Sequence, residues 1–217
     1  MEFDDLANLI KNRRSIRAWQ DKEVSEELLI QAIELATWAP NGGNQQNWHF
    51  YIIVNRDTIK AIGDAVQASA DIIISWPEAN EFEDLTTRLR ERASFFRNAP
   101  AAIGVAAAQY QSPIDEVLAA REKVDPIARQ MRQGRNSADS RIQSVASAIA
   151  YLLLILHRMG MGAVWMTGPL QVKGEIEKIL KVPPELDIVA FIPVGYPAES
   201  PVPKERRPLR DIYELVK

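Results

Sequence analysis

The chain reads as one domain in which helices and strands alternate. Its 217 residues, 47% of them hydrophobic, can bury one sizeable core, and the length sits just above the usual domain size. Runs with helically spaced apolar residues interchange with short runs rich in aromatic and β-branched residues, and no fixed period repeats. The composition shifts to proline and charge after Gly195-Tyr196-Pro197, so residues 198–217 read as an extended arm on a single domain spanning 1–217.

Phe3 to Lys11 carries Phe3, Leu6, Ala7 and Ile10 on one helical face. Ser25 is placed to cap a second helix, with Glu26 and Glu27 in its first turn. Leu28, Leu29, Ala32, Ile33 and Ala36 form its inward stripe, and Pro40 stops it after Thr37 or Trp38. Trp48 to Val54 predicts a strand, and Asp57 a capped helix to about Ala70. Glu81 to Arg97 predicts a partly exposed helix with Phe82, Leu85, Leu89, Phe95 and Phe96, ending before Pro100. Ala101 to Ala108 is small and apolar, as a buried strand requires. Ser112-Pro113 and Arg132 to Ser137 read as loops with helix between them. Ser140 to Met159 gives the clearest helix: Ser140 and Gln143 have capping-box spacing, His157 and Arg158 occupy the last turn, and Gly160 suits a left-handed end. Gly162 to Pro169 reads as a short strand turning into a loop, and Asp187 to Val194 as the last strand. In the arm, Leu209, Ile212 and Leu215 can pack on a neighbouring surface.

Composition excludes several kinds of chemistry. A net charge of −3 argues against a general nucleic-acid binder, which needs a basic excess. With no cysteine and only two histidines, His49 and His157, the chain has no thiol chemistry and no zinc or iron–sulfur site of the usual kind. No metal site is expected, and redox chemistry would need a bound organic cofactor. The acidic start lacks the order of a signal peptide, and the apolar run Ala148 to Leu156 is far short of the ~20 residues that span a bilayer, so a cytoplasmic protein without membrane partners is expected.

Two segments stand out. Arg13-Arg14-Ser15-Ile16-Arg17 puts three guanidiniums and a hydroxyl at a helix end, suited to charge-assisted hydrogen bonds with a phosphate. Pro40-Asn41-Gly42-Gly43-Asn44-Gln45-Gln46-Asn47-Trp48 is rich in amides and glycine and suits the polar edge of a flat heterocycle. Together they point to a nucleotide-like cofactor. Each motif alone has a plainer reading, as a solvated helix end or a turn, and it is their joint occurrence that favours binding.

With Gly160-Met161-Gly162-Ala163-Val164-Trp165, Val194-Gly195-Tyr196-Pro197 and Lys204-Glu205-Arg206, these segments make the chain resemble the FMN-dependent nitroreductase family. The blocks occur in order over almost the whole chain, and the match is weakest from about Trp76 to Asn136. The resemblance implies an α+β fold, a central, mostly antiparallel sheet flanked by helices, in an intertwined homodimer that exchanges C-terminal arms and holds two interfacial FMN molecules. By resemblance, Arg13, Arg14, Ser15 and Arg17 hold the phosphate and nearby ring edge, joined by Lys204 and Arg206. Pro40, Asn41, Gly42 and Asn44 come from the other subunit, while Trp165, Met166, Thr167 and Gly168 line the opposite face, with a backbone N–H near flavin N5. Arg92 and Arg97 are candidates for the pyrimidine carbonyl, and Asn47 and Tyr151 stand where similar sequences often have proline and asparagine. The implied reaction passes a hydride from NAD(P)H through flavin N5 to a nitroaromatic, quinone or similar small molecule, with no side chain required as acid or base. Alternatives are another flavin reaction (dehalogenation, enoate reduction or flavin fragmentation) and a non-catalytic FMN sensor or store.

Overall fold

The computed structural model describes residues 2–217, apart from the side chains of Glu83 and Leu85; the sequence reading of Leu85 therefore lies outside the described residues. Strands β1 (Trp48–Ile53), β2 (Ala101–Ala108), β3 (Gly162–Ala163) and β4 (Leu186–Gly195) form one sheet in the order β1-β2-β4-β3. Every neighbouring pair is antiparallel, as in the α+β architecture expected.

The small residues of β2 follow from burial on both faces. Ala101, Ile103, Val105 and Ala107 pack towards α2 (Glu26–Ala36) and α7 (Ser140–Arg158), while Ala102 and Ala106 pack towards α3 (Arg56–Ser75) and α8 (Lys173–Leu180). Against β4 the register shifts between Val105 and Ala106, whose partners are Ala190 and Ile188, leaving Val189 as the extra residue of a bulge.

Several boundaries differ from the sequence reading for identifiable reasons. Helix α3 is capped by Asn55, whose side chain accepts from Thr58 N–H at 3.0 Å, with Asp57 inside the first turn. It runs on to Ser75, where Trp76 turns extended before Pro77. The expected 81–97 helix is divided. α4 (Glu83–Arg92) stops before Ser94, whose hydroxyl donates to Gln67 at 3.0 Å, and a 3-10 turn Phe95–Asn98 buries Phe96 against Phe191. Arg132 to Ser137 is not a loop but belongs to α6 (Pro126–Ala138), which forms a hairpin with α5 (Pro113–Arg121). Its polar residues pair across that hairpin, Arg135 with Asp115 and Arg132 with Glu122 near the turn. The α7 cap is Asp139 rather than Ser140: in left-handed conformation (φ 41°) it accepts from Ile142 N–H at 3.1 Å, and the Gln143 side chain donates to the Ala138 carbonyl. Gly160 ends α7 as expected at φ 80°, with its own N–H on His157 O (3.1 Å) and Met161 N–H on Leu156 O (2.9 Å).

Taken as one stretch, Pro126–Arg158 is long and apolar enough to cross a bilayer by length and composition alone. The left-handed Asp139 divides it, and Val145, Ala148, Ile149, Leu152 and Leu156 of α7 lie in the core. Helix α1 (Phe3–Asn12) buries none of its residues, and Phe3 is 81% exposed. After β4 the chain stays paired with residues 17–20 as far as Glu199, and residues 202–217 are all exposed.

Candidate functional site

The arginine cluster begins where α1 ends. Arg13 leaves the helix with φ −58° and ψ 128°, so the following residues alternate in direction. Ile16 points inward, and its N–H donates to Ala163 O at 3.2 Å while Ser15 bridges Ala163 in parallel. This close approach needs Gly162, because a Cβ there would lie 2.6 Å from Ile16 Cγ1. Arg14 turns its guanidinium back onto the carbonyls of Lys11 and Arg13, the latter at 2.8 Å, where it also complements the negative end of α1. The plainer reading of an arginine-rich helix end therefore holds in part for Arg14. Its buried Nε has no partner among the described residues.

The other end of the chain completes this cluster. Ala198 N–H donates to Ala18 O (3.0 Å) and Gln20 N–H to Tyr196 O (2.9 Å), and the Glu199 carboxylate accepts from the N–H groups of Arg17 and Ala18. Beyond this pairing the arm passes over the arginines. Arg13, Arg14, Ser15, Arg17, Pro201, Val202, Lys204 and Arg206 line a cavity of about 180 Å³. All six side chains expected around a phosphate thus lie together, and the lining contains no carboxylate. Among the described residues, none of these five cations forms an ion pair. Burial and then the neighbouring charges of Arg14 and Arg206 hold the Arg13 pKa below its ordinary value. The same cluster reaches His157, whose pKa is lowered by burial and then by Arg13 and Arg14.

The amide-rich segment lies elsewhere. Ser147 Oγ donates to Pro40 O at 2.6 Å, and Gly42 N–H donates to Ser144 Oγ at 3.1 Å, so the loop is fastened to the first half of α7. Asn41 Oδ1 accepts from Gln46 N–H at 2.9 Å, and Gly43, Asn44 and Gln46 all have positive φ. Asn47 Nδ2 donates to Ala108 O at 3.2 Å, a tie that proline could not make. His157 and the arginines adjoin the last turn of α7, about 20 Å further along the helix. One chain therefore does not bring the two segments together.

Trp165 to Gly168 follows β3 after Val164, and none of the four lines the cation cavity. Met166 exchanges two 3.0 Å hydrogen bonds with Phe191, which fixes the segment to β4, while Trp165, Thr167 and Gly168 are exposed. No acceptor among the described residues takes the N–H of Thr167 or Gly168. Arg97 is engaged with Asp64, and Arg92 is exposed on α4; neither joins the cavity. Sequence reasoning missed Glu199, although it is the lone acid of Pro197 to Pro203. It also missed the approach of His157 to the arginines, for which the sequence carries no local signal.

A family model described as "Nitroreductase family" matches residues 10–196. An iodotyrosine deiodinase of Thermotoga neapolitana is 29% identical over 93% of this chain and 93% of its own length. An NADH dehydrogenase of Thermus thermophilus is 29% identical over 92% of this chain and 90% of its own length. Among solved structures, a BluB-like flavoprotein from Clostridium difficile 630 superposes with a TM-score of 0.83, at 26% identity and over 100% of both chains.

Proposed function

The chain belongs to the nitroreductase family, and from that membership we propose a homodimeric FMN oxidoreductase that moves two electrons from NAD(P)H to a small conjugated acceptor. That it is an oxidoreductase of this family rests on its homologues, and members of the family bind FMN. The carrying observation is the acid-free cavity in which both ends of the chain gather five cations and Ser15. Such a set repels itself and fits a phosphate dianion, and the unpartnered Arg14 Nε adds to the surplus of donors.

In this reading Arg13, Arg14, Ser15, Arg17, Lys204 and Arg206 bind the phosphate. Trp165, Met166, Thr167 and Gly168 form one wall, with the free N–H groups of Thr167 and Gly168 available at the reacting edge. Pro40, Asn41, Gly42 and Asn44 are contributed by a second copy. The separation of the two segments along α7 supports this division, because a twofold axis near the middle of that helix would bring one copy's loop to the other's arginines. Tyr151, 43% exposed beside the exposed Ala150, marks that middle. When bound, FMN supplies the hydride-accepting and hydride-donating centre, so the protein need only bind, orient and shield. The positive field of Arg17 and Lys204 favours negative charge on whatever lies beside them.

A visible spectrum of the purified protein, followed by anaerobic addition of NADH or NADPH, tests the reading. Yellow protein that bleaches is expected; yellow protein that does not bleach indicates a store or sensor. Arg13→Ala should weaken FMN binding about tenfold or more without altering the fold. Wild-type affinity in that variant would remove the phosphate assignment. The identity to an iodotyrosine deiodinase favours reductive dehalogenation of a phenol as a second reading, which product analysis separates.

A further inference from the structure

We infer that Glu199 is a positioning residue for the cofactor phosphate, a latch that sets Lys204 and Arg206 opposite Arg13; the inference rests on the phosphate reading above. Glu199 Oε1 accepts from two successive backbone N–H groups, those of Arg17 and Ala18, the latter at 3.1 Å. A carboxylate held this way is fixed in direction, because charge-assisted bonds from adjacent amides define a narrow cradle.

Its place along the arm gives the contact its weight. The pairing between residues 17–20 and 196–199 ends at Glu199. Among the described residues, no hydrogen bond or ion pair ties residues 200–206 to the rest of the chain. Lys204 and Arg206 are nonetheless two of the cavity's cations. Their approach is therefore governed by the direction in which the arm leaves its last tie, and Pro201 and Pro203 stiffen the connection by fixing φ. Glu199 does not itself line the cavity but holds the N–H of Arg17, which does; its hold on the arm acts through Lys204 and Arg206.

The test compares Glu199→Ala and Glu199→Gln with the wild type and with a Lys204→Ala/Arg206→Ala variant, reading FMN and riboflavin affinities by quenching of flavin fluorescence. Glu199→Ala should weaken FMN binding about tenfold and leave riboflavin, which lacks the phosphate, unchanged. Glu199→Gln keeps an oxygen for both N–H groups and should stay within about threefold of the wild type. Combined with Glu199→Ala, the arm substitutions should add little, since both act through the same cations. Wild-type FMN affinity in Glu199→Ala, an equal loss for riboflavin, a Glu199→Gln loss matching that of alanine, or fully additive effects would each overturn the latch. If Arg13→Ala weakens FMN binding and Glu199→Ala does not, the latch alone fails. If neither does, the phosphate reading fails with it.

Discussion

His157 is a side chain whose protonation is opposed first by burial and then by charges on another segment. Burial and the guanidiniums of Arg13 and Arg14 disfavour its protonated form, so native His157 releases its proton at lower pH than an unfolded imidazole. The unfolded state then binds more protons in the window between the two values. The contribution of His157 to stability is accordingly full above the ordinary imidazole value and is lost as pH falls through the lower native one. Replacing Arg13 by alanine removes one of the opposing charges and should move the midpoint of His157 upward. An NMR titration against a His49→Gln reference resolves this, and an unmoved midpoint would show that Arg13 has no part in setting it. Nothing in Leu156-His157-Arg158 announces the proximity; it depends on the turn at Arg13, which no local pattern encodes.

The elements were legible in proportion to how far local chemistry decides them. The strand Ala101–Ala108 was readable to the residue because burial on both faces demands an unbroken small apolar run. The end of α7 was readable because Gly160 is required at φ 80°. Its start was misplaced by one residue, since Asp139 and Ser140 are both good caps and the left-handed backbone decides between them. Arg132 to Ser137 was misread because its polar residues around Gly134 resemble a loop; the pairing of the hairpin is a tertiary fact. These caps give a measurable pair. Gly160→Ala meets open space, so its cost is purely conformational, about 1 kcal/mol. Asp139→Ala loses a cap and should cost about 1–2 kcal/mol. Urea denaturation checks both, and a neutral result at Gly160 would show that the turn relaxes.

Over the whole molecule, the segments that would face one cofactor are assembled in two halves. Arg13, Arg14 and the arm residues that share their cavity lie towards one end of α7, and Pro40 and Gly42 are bound to the other. The sequence named these residues but not their separation, which needs the path of the chain. If a twofold axis crosses α7 near Tyr151, Tyr151→Glu sets two carboxylates against each other. Sedimentation should then report a monomer with FMN affinity reduced at least tenfold. A dimer of unchanged stability would place the interface elsewhere.

The cavity that gathers the cations draws them from both termini, Arg13 to Arg17 at one side and Lys204 and Arg206 at the other. On the phosphate reading, a protease cut after Pro203 would leave the three arginines and Ser15 in place but remove Lys204 and Arg206, and the clipped protein should hold FMN more weakly.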